Sequence, residues 1–79
     1  MARIVSFEEV AAGNDRLHGP VHCGYKIFVG SEGPILQMDT YGSTERQIEG
    51  KVSQTLQIDR SAAKQLLELL CKAFPSLRD

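Results

Sequence analysis

Three stretches of apolar–polar alternation follow one another in this chain, and the connections between them are short. In the first, Val21, Cys23, Tyr25, Ile27 and Val29 share one side, with His22, Gly24, Lys26 and Phe28 on the other. Ile35 to Tyr41 sets Leu36, Met38 and Thr40 against Ile35, Gln37, Asp39 and Tyr41. Val52 to Ile58 sets Val52, Gln54, Leu56 and Ile58 against Ser53, Thr55 and Gln57. Period two is the mark of half-buried strands. Gly30-Ser31-Glu32-Gly33-Pro34 reads as a hairpin loop between the first two, since glycine can take positive φ and proline resists continuing a ladder. Gly42 to Lys51 carries Gly42, Ser43, Gly50 and three charges before Lys51, and reads as a solvated loop. Parallel neighbours would need crossovers of about a dozen residues or more. The three stretches therefore predict an antiparallel meander with strands over 21–29, 35–41 and 52–58.

Upstream, Arg3-Ile4-Val5-Ser6-Phe7 is β-branched and aromatic enough for a further short strand over 3–7. Glu8 to Ala12 either extends it or forms one helical turn. Gly13-Asn14-Asp15 and Gly19-Pro20 punctuate the loop that follows. Downstream, Asp59 stands where a helix N-cap is wanted, with Ser61 a second candidate. Ala63, Leu66, Leu67, Leu70 and Phe74 then recur with helical period, and Lys64, Glu68 and Lys72 line the opposite side at i, i+4 spacing. Pro75 ends the run, so a helix of roughly 24 Å is predicted over 59–74. The expected fold class is α+β: an antiparallel β-meander of three or four strands with one C-terminal α-helix packed across one face, forming a single domain over 1–79.

At about 100° per residue, the helix shows an apolar arc of roughly 200° against a polar arc of about 100°. One sheet face consumes about half of the apolar arc. The flank of Ala62, Leu69 and Ala73 is left over, either covered by the N-terminal segment or buried in a homodimer interface. Four strands about 4.8 Å apart are also wider than one helix of about 10–12 Å can cover. A homodimer is the expectation, with Ala62, Leu69 and Ala73 at its interface.

Composition excludes several classes. Nine Lys+Arg against ten Asp+Glu leave a net charge of −1, so no bulk field draws nucleic acid or anionic lipid. No apolar run approaches the roughly 20 residues needed to span a bilayer. MARIVSFEEV lacks a long apolar stretch and carries two glutamates, unlike a secretory leader, so a cytoplasmic location is expected. The two cysteines, Cys23 and Cys71, read as small buried hydrophobes in a reducing compartment rather than a disulfide framework.

No catalytic constellation emerges. His18, His22 and Cys23 are the one cluster of metal-type ligands, but Gly19-Pro20 breaks any helix between the histidines, and a strand points His22 and Cys23 apart. A tetrahedral zinc site also wants a second ligand pair. The same divergence argues against Cys23 as a nucleophile served by His22. Gly30-Ser31-Glu32-Gly33 lacks the lysine and the following helix of a phosphate cradle. Neither enzyme, metal nor cofactor is expected.

The sheet face away from the helix is the more informative surface. It would carry Lys26, Phe28, Gln37, Tyr41, Thr55 and Gln57, with Asp39 its one carboxylate and Arg46 and Lys51 at its rim. Aromatics that stack, amides that meet base edges and a few cations make a platform for single strands. The plainer alternative is a solvated sheet face whose aromatics a partner subunit covers.

The order strand, short turn, strand, longer loop, strand, helix over Gly24–Leu70 resembles the small dimeric single-stranded-DNA-binding domains of the transcriptional coactivator/Whirly type. Ile35-Leu36-Gln37-Met38-Asp39 stands at the apolar inner strand of that family, Gly50-Lys51-Val52-Ser53 at its glycine–lysine lead into the last strand, and Leu56-Gln57-Ile58-Asp59 at the approach to the helix. The stretches LQMDTYGS and GKVSQTLQID are also similar to a widespread short bacterial family, some of whose members carry the label methionyl-tRNA formyltransferase. Such an enzyme needs a folate-binding α/β domain far longer than this chain. The reading that follows is a non-enzymatic module for single-stranded DNA or RNA, in which Lys26, Arg46 and Lys51 contact phosphates and Phe28 and Tyr41 stack on bases. The alternative is a protein-interaction module or accessory subunit with no nucleic-acid role.

Overall fold

A computed structural model of the chain describes residues 1–42 and 52–77. It contains four strands, β1 (Ala2–Ile4), β2 (Cys23–Gly30), β3 (Gly33–Tyr41) and β4 (Val52–Ile58), and one helix, α1 (Arg60–Ala73). They form a single sheet in the order β1-β4-β3-β2 with α1 packed on it. The α+β architecture is as the periodicities require.

β2 and β3 pair antiparallel from Cys23↔Thr40 to Gly30↔Gly33, and β3 pairs antiparallel with β4 from Leu36↔Ile58 outward. The hairpin is tighter than the expected five-residue loop, because only Ser31 and Glu32 lie outside the ladder and Gly33 absorbs the turn with φ +119°. Pro34 fits inside β3 for a register reason. With Gly30 and Gly33 as the closing hydrogen-bonded pair of a two-residue turn, Val29↔Pro34 is a non-hydrogen-bonded pair. The proline nitrogen then points to the β4 side, beyond the last β4 partner, where no ladder bond is lost.

The sheet is mixed rather than wholly antiparallel. β1 joins the far edge parallel to β4, with Ala2↔Leu56 and Ile4↔Ile58 in register. Residues 5–22 are long enough to carry the chain from one sheet edge to the other, which removes the constraint that makes the later strands antiparallel. β1 also stops at Ile4 instead of Phe7. The Phe7 amide donates to Gln65 Oε1 at 3.3 Å, so the chain has already left the ladder for the side of the helix. β2 likewise begins at Cys23, two residues after the expected start.

Asp59 is the N-cap of α1: its Oδ1 accepts from the Ala62 amide at 3.0 Å. Its Oδ2 also meets Arg3 Nη1 at 3.4 Å, which ties β1 to the head of the helix. At the other end the Phe74 amide donates to the Leu70 carbonyl at 2.9 Å, before Pro75 and the positive φ of Ser76. Replacing Asp59 by alanine is expected to cost about 1 kcal/mol in chemical denaturation, the usual worth of a cap. Arg3→Ala, which removes only a solvent-screened pair, is expected to stay within about 0.5 kcal/mol. Equal losses in the two variants would mean that the ion pair, and not the cap, carries the effect.

The register lines up Ile4, Ile58 and Leu36 on one face, with Leu56 and Met38 in the next row. Ile58 is 3% exposed and Ala62, from the first turn of α1, is fully buried, so the head of the helix sits over this row. Further along, cover is lost. Every helix residue from Leu67 onward is exposed. Ile35, on the opposite face beside Phe28, is the other buried apolar side chain among the described residues.

Cover of the sheet is partial, in line with the width of four strands against one helix. The row Cys23, Tyr25, Ile27 and Val29 lies on the helix side, in register with Thr40, Met38, Leu36 and Pro34, but α1 packs chiefly on β3 and β4 and leaves the row exposed. Cys23 and Cys71 are accordingly exposed rather than buried, one on the uncovered edge strand and one on the uncovered half of the helix. Ala62 is fully buried within the single chain and has no surface left for a partner. Leu69 and Ala73 border a concavity with Phe7, Glu8 and Glu9 and remain exposed, so the N-terminal segment lies beside this flank without covering it.

Candidate nucleic-acid interface

The face away from α1 is assembled from alternate residues of three strands. Cross-strand pairs set Lys26 beside Gln37, Phe28 beside Ile35 and Gly24 beside Asp39, and β4 adds Gln57 next to Gln37 and Thr55 next to Asp39. Tyr41 belongs to the same face. A Cβ on Gly24 would stand 3.0 Å from the Tyr41 hydroxyl and 3.3 Å from its ring, so the ring lies across the bare backbone of Gly24. Glycine at 24 therefore gives the tyrosine a flat floor, an aromatic lid over a position without a side chain.

The polar residues between the aromatics are bonded to one another. Gln57 Nε2 donates to Gln37 Oε1 at 2.8 Å, Gln37 Nε2 donates to Asp39 at 3.2 and 3.3 Å, and Thr55 Oγ1 donates to Asp39 Oδ1 at 2.7 Å. Two consequences follow. The Asp39 carboxylate is held in place by donors from two strands. The Gln37 and Gln57 amides, expected to be free for base edges, bond within this chain, which leaves rings and cations as the more accessible groups of the face.

Phe28 is 39% exposed, and Lys26 is exposed between Phe28 and the Gly24–Tyr41 site. Phe28 is four residue steps along the strand from Gly24, about 13 Å at strand rise. The rings are thus too far apart to clamp one base, and each can floor a separate one. Beyond Phe28 the face ends in a concavity of about 260 Å³ bordered by Arg3, Phe28, Ile35, Gln57 and Asp59. Arg3 is a cation on this face that the sequence did not single out, since only the parallel β1–β4 register places it beside Gln57. The shift in the β3–β4 register at Thr40/Tyr41 also sets Val52 opposite Tyr41 rather than in the Leu56–Ile58 row. Arg46 and Lys51, and the Gly42–Lys51 loop reading apart from Gly42 itself, lie outside the described residues.

No group of three metal-type ligands occurs among the described residues, and no described helix is long and apolar enough to cross a membrane. The fold and this surface define a small α+β domain with a helix over one side of its sheet and an open, aromatic-bearing face on the other. No protein-family model, curated protein or solved structure matches the chain.

Proposed function

We propose that this chain is a non-enzymatic module that binds single-stranded nucleic acid on the open sheet face. The observation that carries the reading is the placement of Phe28, Lys26 and Tyr41 in line along one uncovered face. Phe28 and Tyr41 stack one base each, Lys26 neutralises a phosphate between them, and Arg46 and Lys51 add phosphate contacts at the rim. Every base has a π-face, so binding of this kind tolerates sequence. The locked Gln37–Asp39–Thr55 chain agrees with low base selectivity. The layout over Gly24–Leu70, similar to coactivator/Whirly-type domains, points the same way.

Fluorescence anisotropy of a labelled mixed-sequence single strand, DNA and RNA in turn, tests this. With three cationic contacts the affinity falls with a log–log salt slope of about −2, roughly 20-fold between 50 and 200 mM salt. No binding at low salt, where electrostatic contacts are strongest, retires the proposal. Binding that ignores salt would place the contact somewhere other than these cations. The competing reading, a protein-interaction module, is favoured by one observation, the bare apolar row on β2.

A further inference from the structure

Tyr25, Ile27 and Val29 are 73, 70 and 80% exposed, three large side chains in a row on the helix side of the edge strand. On α1, Leu67, Leu70 and Phe74 are 46, 36 and 58% exposed at i, i+3 and i+7 spacing, which puts them on one stripe. Leu67 and Phe74 lie about 150° around the helix axis from Leu69, and Leu69 is the flank that residues 7–9 accompany. The stripe is therefore on the side of the helix away from the N-terminal segment, where it stands exposed.

We propose that this strand row and this helix stripe form the interface with a second copy of the chain, the helix end of each copy covering the β2 row of the other. The area argues for it. A compact monomer of 8.7 kDa exposes about 4,700 Å², whereas this chain exposes 7091 Å². Residues 8–22, exposed throughout, hold part of the excess. With those residues included, the excess is about three times the roughly 800 Å² per partner that a standard interface removes, so the row and stripe need supply only part of it.

The occupant follows from the chain's own composition. Each copy brings one flat apolar row and one apolar helix stripe, the two complementary halves that a two-fold, self-complementary contact needs. A net charge of −1 per chain opposes no pairing. Among the described residues only Ile35, Ile58 and Ala62 are buried apolar side chains, so the folded chain needs cover wherever it occurs. An identical copy is the one partner present whenever the chain is. The contact uses the helix side of the sheet and leaves the Phe28–Tyr41 face open, so it stands or falls apart from nucleic-acid binding.

Sedimentation equilibrium at tens of micromolar is expected to give twice the 8.7 kDa chain mass. Ile27→Lys changes a side chain with almost no contacts inside one chain and a residue type that edge strands tolerate. It is expected to raise the dimer dissociation constant about 30-fold or more. Because a separated chain can lose its fold, the wild-type dimer is also examined directly. In a mixture of differently isotope-labelled copies, intermolecular NOEs are expected between Ile27 or Val29 and Leu70 or Phe74. A wild-type mass of one chain, a dimer indifferent to Ile27→Lys, or a dimer without those contacts overturns the proposal.

Discussion

Ile58→Ala is expected to lower the stability of the fold by about 3 kcal/mol, within the range for deleting a buried aliphatic side chain. Ile58 is 3% exposed, flanked in register by Ile4 and Leu36, and lies below the head of the helix near the fully buried Ala62. It is the point at which β1, β3, β4 and α1 meet. A domain of this length has a total stability of roughly 4–12 kcal/mol, so one substitution removes a quarter or more of it. Urea denaturation at fixed protein concentration checks this, with Val10→Ala as the comparison, since Val10 is 79% exposed. A midpoint for Ile58→Ala within about 0.5 kcal/mol of wild type would mean that the fold does not depend on this junction.

The second large effect concerns binding. Phe28→Ala and Tyr41→Ala are each expected to weaken single-strand affinity by about 1–3 kcal/mol, the usual worth of one base stacked on an aromatic ring. The two sites are about 13 Å apart along the strand, and changes at such separation add to within about 0.5 kcal/mol. The double variant should therefore lose the sum. Tyr25→Ala provides the contrast: Tyr25 is 73% exposed and equally aromatic, but it lies on the helix side of the sheet. Anisotropy titrations at constant salt read all four proteins. A Tyr25→Ala loss equal to those of Phe28→Ala and Tyr41→Ala would move the binding surface to the other face.

The legible part of this chain is the part whose order is set by local chemistry. Alternation over β2, β3 and β4 gave their type and sidedness, short connections gave their antiparallel pairing, and Asp59, the helical stripe and Pro75 bounded α1 to within a residue. What remained hidden depends on distant parts of the chain. β1 is three residues long, and its parallel pairing with β4 depends on the free run of residues 5–22, which no local pattern encodes. Arg3 joined the open face only through that pairing. The tight turn at Ser31–Glu32 needed the register to show why Pro34 does no harm. Strand and helix widths foretold that part of the sheet would lack cover, but not which part. An amphipathic pattern says which side of a helix is apolar and cannot say where along its length the cover ends. The second half of α1 and the β2 row therefore read as core and stand exposed, Cys23 and Cys71 among them.

The open face was legible as a set of residues and not as a network. The alternation placed Lys26, Phe28, Gln37, Tyr41, Thr55 and Gln57 together, yet nothing in it indicated that Gln57, Gln37, Thr55 and Asp39 bond to one another. That network shifts the expected chemistry from amide readout to stacking. Gly24 shows the same limit: its lack of a side chain matters because Tyr41, from the neighbouring strand, lies across it.

The most direct measurement is an NMR titration of the labelled chain with an unlabelled mixed-sequence single strand, following ring and side-chain amide signals. The Phe28 and Tyr41 ring resonances are expected to move upfield as bases stack on them, with smaller shifts at the Gln37 and Gln57 side-chain amides, while the Tyr25 ring stays in place. Shifts confined to Tyr25 and the end of the helix, or none at any strand concentration, would contradict the assignment of this face to nucleic acid.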